Sequence, residues 1–237
     1  MQSIKRTILI TGASSGIGQA CSIALLRQGH EVIGLTRNCA QFFISHPNFT
    51  PYQIDLSDLE NLPKNIKALA TQFRNIDSAI FAAGRGEFGH LEEFSFSQIQ
   101  ELMNLNFVSI SFLAKYFLPS FKRKNLSDLI FIGSEAALKG SRKGSIYCAS
   151  KFAIRGFSQA LRDECAKSNV RVSLINPGMV KTEFFDHLNF EPGNEKNQHL
   201  MANDIANAAS YIINARSGIV IDEINLNPAN KVIQFKK

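Results

Sequence analysis

Residues 7–18 read Thr-Ile-Leu-Ile-Thr-Gly-Ala-Ser-Ser-Gly-Ile-Gly, an apolar β-branched run followed at once by three closely spaced glycines. The run predicts a buried strand at 7–10, and the apolar spacing that follows predicts a helix at 16–27. Glycine lets the backbone turn sharply beside a ligand, and a helix N-terminus offers free N–H groups to a phosphate. A tight turn without a ligand is the alternative. The position of these glycines, at the start of a chain in which strands and helices alternate, favours a dinucleotide-binding turn. Their Gly-x-x-x-Gly-x-Gly spacing differs from the common Gly-x-Gly-x-x-Gly motif.

Strand and helix signals alternate along the rest of the chain. Further strands are predicted at 31–35, 52–54, 77–81, 129–132, 170–175 and 219–224. Further helices are predicted at 59–73, 97–103, 106–123, 146–167 and 204–214, with residues 38–51 irregular. This order predicts an α/β fold in which 1–237 form a single Rossmann-type, doubly wound domain. Its parallel sheet would have about seven strands, with helices on both faces.

Composition narrows the possible functions. The chain has 237 residues, 45% hydrophobic and 19% charged, which is typical of a globular domain. It contains no apolar run of about 18 residues and no apolar leader near Met1, so we expect neither a membrane span nor a signal peptide. The four cysteines are scattered without metal-ligand spacing, which indicates reduced thiols in the cytoplasm and no metal site. The net charge of +6 is dispersed, so nucleic acid is not expected as a partner.

The central stretch 130–151 carries the candidate catalytic groups. Ser134 follows the strand at 129–132, where open α/β sheets bind ligands. Tyr147 and Lys151 form a Tyr-x-x-x-Lys pair on one face of the next helix. An ammonium beside a phenol favours the phenolate, so we expect a Tyr147 pKa below its usual value of about 10. Alone, such a pair is an ordinary helix face, but its place after a strand-end serine and a glycine-rich turn favours catalysis.

Taken in order, the motifs resemble those of the short-chain dehydrogenases/reductases, from residue 7 to about residue 228. The resemblance rests on these residues: Thr11-Gly12-x-x-x-Gly16-x-Gly18, Asp55, Ala83-Gly84, Asn106, Ser134, Tyr147-x-x-x-Lys151, and Pro177-Gly178 with Thr182. One departure is Ala82, where the family usually has an asparagine that ties neighbouring strands together. We expect a modest cost in stability from this change.

The resemblance implies a role for each catalytic residue. Tyr147 would be the general acid in carbonyl reduction and the base in alcohol oxidation, and Lys151 would lower its pKa and hold the nicotinamide ribose. Ser134 would bind the substrate oxygen, and Asn106 would hold a water of a proton relay. The predicted cofactor-binding residues are Gly12, Ser14, Ser15, Gly16, Ile17, Gly18, Arg37, Asp55, Leu56, Ala83, Gly84, Tyr147, Lys151, Pro177, Gly178, Val180 and Thr182.

The end of the second strand indicates which cofactor is used. A carboxylate there would bind the ribose diol of NAD, whereas this chain has Thr36-Arg37. Arg37 could be an exposed loop residue, but at this position we expect it to bind the 2′-phosphate of NADP(H). A second basic residue that often precedes the middle glycine in NADP-binding relatives is absent, because Ser15 occupies that position.

Substrate and assembly are less constrained by sequence. The substrate site is expected from residues 85–88, 135–143 and 184–200, the last a polar segment predicted to be a mobile lid. Arg142 and Lys143 could favour an acidic substrate or could be solvated loop charges. Apolar residues on two sides of the helices at 106–123 and 146–167 predict a homodimer or homotetramer. A non-catalytic cofactor-sensing regulator and a structural subunit with a vestigial site are the alternatives to an enzyme.

Overall fold

The computed structural model of the chain describes residues 5–41 and 44–236. Residues 1–4, 42, 43 and 237 lie outside the described part, and residues 42 and 43 fall within the segment predicted to be irregular. The strands are β1 Thr7–Thr11, β2 Glu31–Thr36, β3 Phe49–Gln53, β4 Ser78–Phe81, β5 Ser127–Ile132, β6 Val170–Pro177, β7 Val180–Lys181, β8 Phe190–Pro192, β9 Leu200–Met201, β10 Glu223–Leu226 and β11 Ile233–Phe235. The helices are α1 Gly16–Arg27, α2 Leu62–Gln72, α3 Phe96–Met103, α4 Ser109–Phe121, α5 Ser145–Cys165 and α6 Ala202–Asn214.

A seven-stranded sheet organises the molecule, with the strand order β10-β6-β5-β4-β1-β2-β3. All neighbouring pairs in it are parallel. Helices α2, α4 and α5 contribute to the apolar core on one side, while α1 and α6 contribute to the core on the other. The predicted doubly wound architecture is therefore confirmed. The strand order reverses between β1 and β4, so a crevice opens beyond their carboxyl ends.

Two strand predictions missed the start of the strand by three residues or more. The third strand was predicted at 52–54 but spans Phe49–Gln53 and includes Pro51. Proline is tolerated there because β3 is an edge strand that pairs with β2 alone, so one side of it needs no N–H donor. The last strand of the sheet was predicted at 219–224 but is Glu223–Leu226, aligned on β6 from Leu174 to Pro177.

The two helices predicted at 97–103 and 106–123 are joined without a break. Between α3 and α4, residues Asn104–Val108 form a π-helical turn, with the Ser109 N–H bonded to the Asn104 carbonyl. Such wider turns are rare and occur often at functional sites. This one places Asn106 fully inside the protein, with no exposed surface.

The segment 184–200 packs against the C-terminal end of the chain. Strand β8 pairs antiparallel with β11, and β9 pairs with β7. The Gly193 N–H bonds the Val232 carbonyl at 3.1 Å, and the Asn230 N–H bonds the Asn197 carbonyl at 2.8 Å. The segment therefore has an ordered partner in this structure, and its movement as a lid stays a prediction. Across the parts of the chain described here, none of the helices is both long and apolar enough to cross a membrane.

Candidate active site

Ser134 lies immediately beyond β5, at the carboxyl edge of the sheet. Its backbone is extended, and its Oγ accepts a hydrogen bond from the Ala136 N–H at 3.1 Å. Its backbone N–H donates to Asn176 Oδ1 at 3.3 Å. Because Oγ already accepts from Ala136, its O–H is free to be donated to a partner on the cavity side. The structure supplies one such partner, since the Ser134 side chain hydrogen-bonds the Tyr147 phenol.

Tyr147 and Lys151 project from the first two turns of α5. Tyr147 is 7% exposed and Lys151 6% exposed. The Lys151 ammonium lies 5.8 Å from the centre of the Tyr147 ring and donates to the Ile132 carbonyl at 3.1 Å. The helix thus brings the phenol and the ammonium beside the strand end that carries Ser134, as the sequence predicted.

The predicted lowering of the Tyr147 pKa is wrong for this structure. Burial raises the pKa of Tyr147 to about 12, against a smaller lowering from its hydrogen bond with Ser134. Burial also lowers the pKa of Lys151 to about 8. The physical reason is desolvation: both charged forms lose water, and the Lys151 ammonium donates its hydrogen bond to a backbone carbonyl.

Asn106 joins the loop after β4 to α5. Its Oδ1 accepts from the Arg85 N–H at 3.0 Å, and its Nδ2 donates to the Arg85 carbonyl at 3.0 Å and to Ser150 Oγ at 3.1 Å. A side chain on Gly84 would come within 3.1 Å of Asn106 Oδ1. Asn106 therefore fixes the loop of Gly84 and Arg85 beside Lys151.

The glycine-rich turn has the close packing expected of a ligand-binding turn. Gly12 has a φ of 66°, in the left-handed region, and a side chain there would come within 3.0 Å of the Ala83 backbone. A side chain on Gly18 would overlap the Gly12 carbonyl. Thr11 Oγ1 accepts from the Ala83 N–H at 2.9 Å. This bond ties β1 to the end of β4, next to Ala82, where the family's usual asparagine is missing.

Two adjoining cavities are lined by the predicted cofactor-binding residues and by Ser134, Tyr147 and Lys151. The smaller, of about 350 Å³, lies at the glycine-rich turn and is lined by Gly12, Ser14, Ser15, Gly16, Ile17, Gly18, Arg37, Asp55, Leu56, Ala83, Gly84 and Thr182, among others. The larger, of about 1060 Å³, is lined by Ser134, Tyr147, Lys151, Pro177, Gly178, Val180 and Thr182, among others. Thr182 and Gly84 belong to both, so the two cavities meet near Tyr147 and Lys151. Asn106 lies behind them.

The positioning role of Asn176 in this site was not predicted from sequence. Asn176 Nδ2 donates to Glu223 Oε1 at 2.8 Å and to Asn225 Oδ1 at 2.9 Å, while its Oδ1 holds the Ser134 N–H. A side chain on Gly133 would overlap Asn176 Oδ1. Asn176 therefore positions Ser134 from β6. The sequence showed only an Asn-Pro-Gly strand ending, and these contacts depend on strand pairing.

These features define a dinucleotide-binding α/β protein with a serine, a tyrosine and a lysine at the carboxyl edge of its sheet. The family model described as short chain dehydrogenase matches residues 6–192. The chain therefore belongs to the short-chain dehydrogenase family and is an oxidoreductase of that family.

Individual relatives agree with this assignment. The chain is 28% identical over 243 residues to the NADP-dependent 3-hydroxy acid dehydrogenase of Schizosaccharomyces pombe, covering 95% of this chain and 93% of the relative. It is 31% identical over 228 residues to the probable short-chain type dehydrogenase/reductase VdlC of Helicobacter pylori, covering 96% and 82%. Its fold is similar to that of an alcohol dehydrogenase from the archaeon Thermococcus sibiricus complexed with 5-hydroxy-NADP. That match has a TM-score of 0.84 and 24% identity, over 98% of this chain and 100% of the other.

Proposed function

We propose that the protein interconverts a carbonyl and an alcohol with NADP(H), and that Tyr147 is its general acid and base. The observation that carries this proposal is that two hydroxyls, of the half-buried Ser134 and the buried Tyr147, line the same cavity as the Lys151 side chain. The cofactor would supply the hydride, so the chain itself has to orient the substrate and move one proton.

The residues of the smaller cavity fit a dinucleotide. The first turn of α1, with Gly16, Ile17 and Gly18, lines it and directs backbone N–H groups toward it. Gly12 keeps space free where a side chain would meet the Ala83 backbone. These residues would hold the pyrophosphate, while Tyr147 and Lys151 would hold the ribose next to the reacting end.

In carbonyl reduction, the protonated Tyr147 phenol would donate its proton to the substrate oxygen. The raised pKa keeps this phenol protonated at neutral pH. Ser134 would donate its O–H to the same oxygen, since its Oγ already accepts from a backbone N–H. The Lys151 ammonium, protonated below its pKa of about 8, would stabilise the phenolate that is left. A water bound near Asn106 would return the proton, as the resemblance implies.

Arg37 supports NADP(H) as the cofactor. It is exposed at the rim of the smaller cavity, which Ser14 and Ser15 also line. The residue before it is Thr36, so no carboxylate at the end of β2 would repel a 2′-phosphate. The S. pombe relative is named as NADP-dependent. An exposed guanidinium in this place matches the bidentate geometry of a phosphate.

We also propose that the protein is a homodimer or a homotetramer. Tyr116 on α4 and Phe152 on α5 are 41% and 44% exposed, which is unusual for large apolar side chains on packed helices. A second copy of the chain would cover them.

Replacing Tyr147 with phenylalanine tests the catalytic role. The variant should fold and bind NADPH but lose about 10²- to 10⁴-fold in kcat with any carbonyl that the wild type reduces, because only the proton donor is lost. Binding is measured by isothermal titration and turnover by loss of NADPH absorbance on a panel of ketones and aldehydes. Wild-type turnover in the variant would refute the role of Tyr147. Cofactor binding by the wild type without turnover of any carbonyl would favour the alternative of a cofactor-sensing regulator.

A further inference from the structure

The larger cavity has an aromatic wall next to the catalytic tyrosine. The centre of the Phe88 ring lies 5.1 Å from that of Tyr147 and 5.0 Å from that of Phe190. The Phe184 ring lies 6.0 Å from Tyr147 on another side, and Met179 also lines the cavity. A compound whose carbonyl meets Tyr147 would therefore place the body attached to that carbonyl among aromatic rings.

The rim of the same cavity is positively charged. Lys139, Arg142 and Lys143 line it and are exposed, and none of them forms an ion pair with any residue in 5–41 or 44–236. The two carboxylates that line the cavity are already engaged. Glu135 is paired with Lys231 at 2.5 Å, and Glu93 accepts from the His90 N–H at 2.8 Å. Among the described residues, the rim therefore offers three cations that are not paired with an acidic side chain.

The loop that carries these cations is fixed against the cavity. The Lys143 carbonyl accepts a hydrogen bond from the Gly89 N–H at 2.8 Å, which joins the basic loop to the loop that carries Phe88. Lys143 has a φ of 62°, a left-handed conformation that lysine rarely adopts. Glycine would be the ordinary residue at such a position, and unusual backbone conformations of this kind cluster at functional sites.

We propose that the substrate is a carbonyl compound, or its alcohol, with an apolar body of about ring size and a carboxylate at the end remote from the reacting carbon. This rests on the proposed function, since it assigns a substrate class to the same site. The aromatic wall binds the body, and Lys139, Arg142 and Lys143 bind the carboxylate. Exposed charge pairs contribute about 1.5- to 5-fold each, so the three cations together should favour the acid by about tenfold.

The test compares 4-acetylbenzoate with its methyl ester at saturating NADPH. Both present the same ring and ketone, and only the acid has a charge. The measured quantity is kcat/KM for the acid divided by kcat/KM for the ester. This ratio is measured in the wild type and in the variant Lys139→Gln/Arg142→Gln/Lys143→Gln. Comparing the ratio between the two proteins cancels the intrinsic difference in reactivity between the ketones. We expect it to fall by about tenfold in the variant.

A matched control is Lys64→Gln/Lys67→Gln/Arg74→Gln, which also removes three positive charges. These residues are exposed on and just after α2 and do not line the cavity. The control should leave the ratio within about twofold of wild type, because distant exposed charges are screened by salt. A ratio that falls equally in both variants, or in neither, overturns the proposal.

Salt and a third substrate test the proposal without any variant. Raising the ionic strength with the wild type should lower the ratio, since exposed ion pairs weaken with salt. A short aliphatic oxo acid, which has the charge without the ring, should be a poorer substrate than 4-acetylbenzoate. An unchanged ratio in high salt, or an equally good short oxo acid, also overturns the substrate assignment. Failure of the proposed function looks different, because neither the acid nor the ester would then be reduced in a reaction that depends on Tyr147.

Discussion

Replacing Lys151 with methionine should make the cofactor-free protein more stable at neutral pH while removing its activity. The lysine is 6% exposed, and its ammonium has one hydrogen bond, to the Ile132 carbonyl. Burial lowers its pKa from 10.5 to about 8, so the folded protein binds this proton less tightly than the unfolded chain does. Methionine has a similar shape and carries no charge to desolvate.

The size and direction of the effect follow from proton linkage. The unfolded chain keeps the Lys151 proton up to a pKa of about 10.5, whereas the folded protein loses it above about 8. Between these values the unfolded state binds more protons, so the free energy of unfolding of the wild type rises with pH. A shift of one pKa unit corresponds to about 1.4 kcal/mol, which gives a gain of about 2.5 kcal/mol between pH 7 and pH 10. The variant lacks this gain.

The assay is urea unfolding at several pH values from 7 to 10, followed by far-ultraviolet circular dichroism because the chain has no tryptophan. The difference in unfolding free energy between the variant and the wild type should shrink by about 2.5 kcal/mol over this range. Terms that do not depend on pH, such as the lost hydrogen bond to Ile132, cancel in that change. Lys67→Met, at an exposed position on α2, is the control and should show no such trend. A difference for Lys151→Met that stays constant with pH would refute the reasoning.

Three other predictions follow from the site and the surface. Arg37→Ala should weaken NADPH binding by about ten- to a hundredfold and NADH binding very little, since a hydrogen bond to a charged group contributes about 1.5–3 kcal/mol. Equal weakening of both in isothermal titration would contradict the role of Arg37. Light scattering should give at least the mass of a dimer at micromolar concentration, and Tyr116→Glu with Phe152→Glu should give a monomer; a monomeric wild type would contradict the interface. Carbonyl reduction should slow as pH rises past about 8, where Lys151 loses its proton, and a rate that stays level until the pKa of Tyr147 near 12 would contradict this.

Local patterns were sufficient to predict the fold and to predict which residues come together in the candidate site. The order of strand and helix signals predicted the parallel sheet, because each βαβ unit is complete within a short stretch of chain. Helix α1 was predicted with the bounds it has, Gly16–Arg27, since Gly16 begins it and Gly29 follows its end by two residues. Gly29, predicted to follow the end of this helix, has a φ of 86°. The sequence could predict that Ser134 lies near Tyr147 and Lys151, because the end of a strand and the N-terminus of the next helix lie at the same edge of the sheet.

Features that depend on distant neighbours could not be predicted. The start of β3 was placed after Pro51, and its true start at Phe49 depends on the sheet order, in which β3 is an edge strand. The pairing of β8 with β11 joins residues about forty positions apart, and no local signal marks it. The role of Asn176 depends on contacts with Ser134 and with β10, so it requires the strand order as well.

The ionisation of Tyr147 and Lys151 also depends on burial, which local sequence patterns do not show. From sequence, the spacing of Tyr147 and Lys151 predicted attraction between a phenolate and an ammonium, and hence a low Tyr147 pKa. In the folded protein both side chains are buried, and desolvation acts against both charged forms at once. Desolvation therefore raises the pKa of Tyr147 and lowers the pKa of Lys151, which favours the neutral phenol and the neutral amine. A protonated phenol is the form that donates a proton in carbonyl reduction, so burial supports this direction of the proposed reaction. The phenolate needed for alcohol oxidation would have to be stabilised by charges that bind with the cofactor or the substrate.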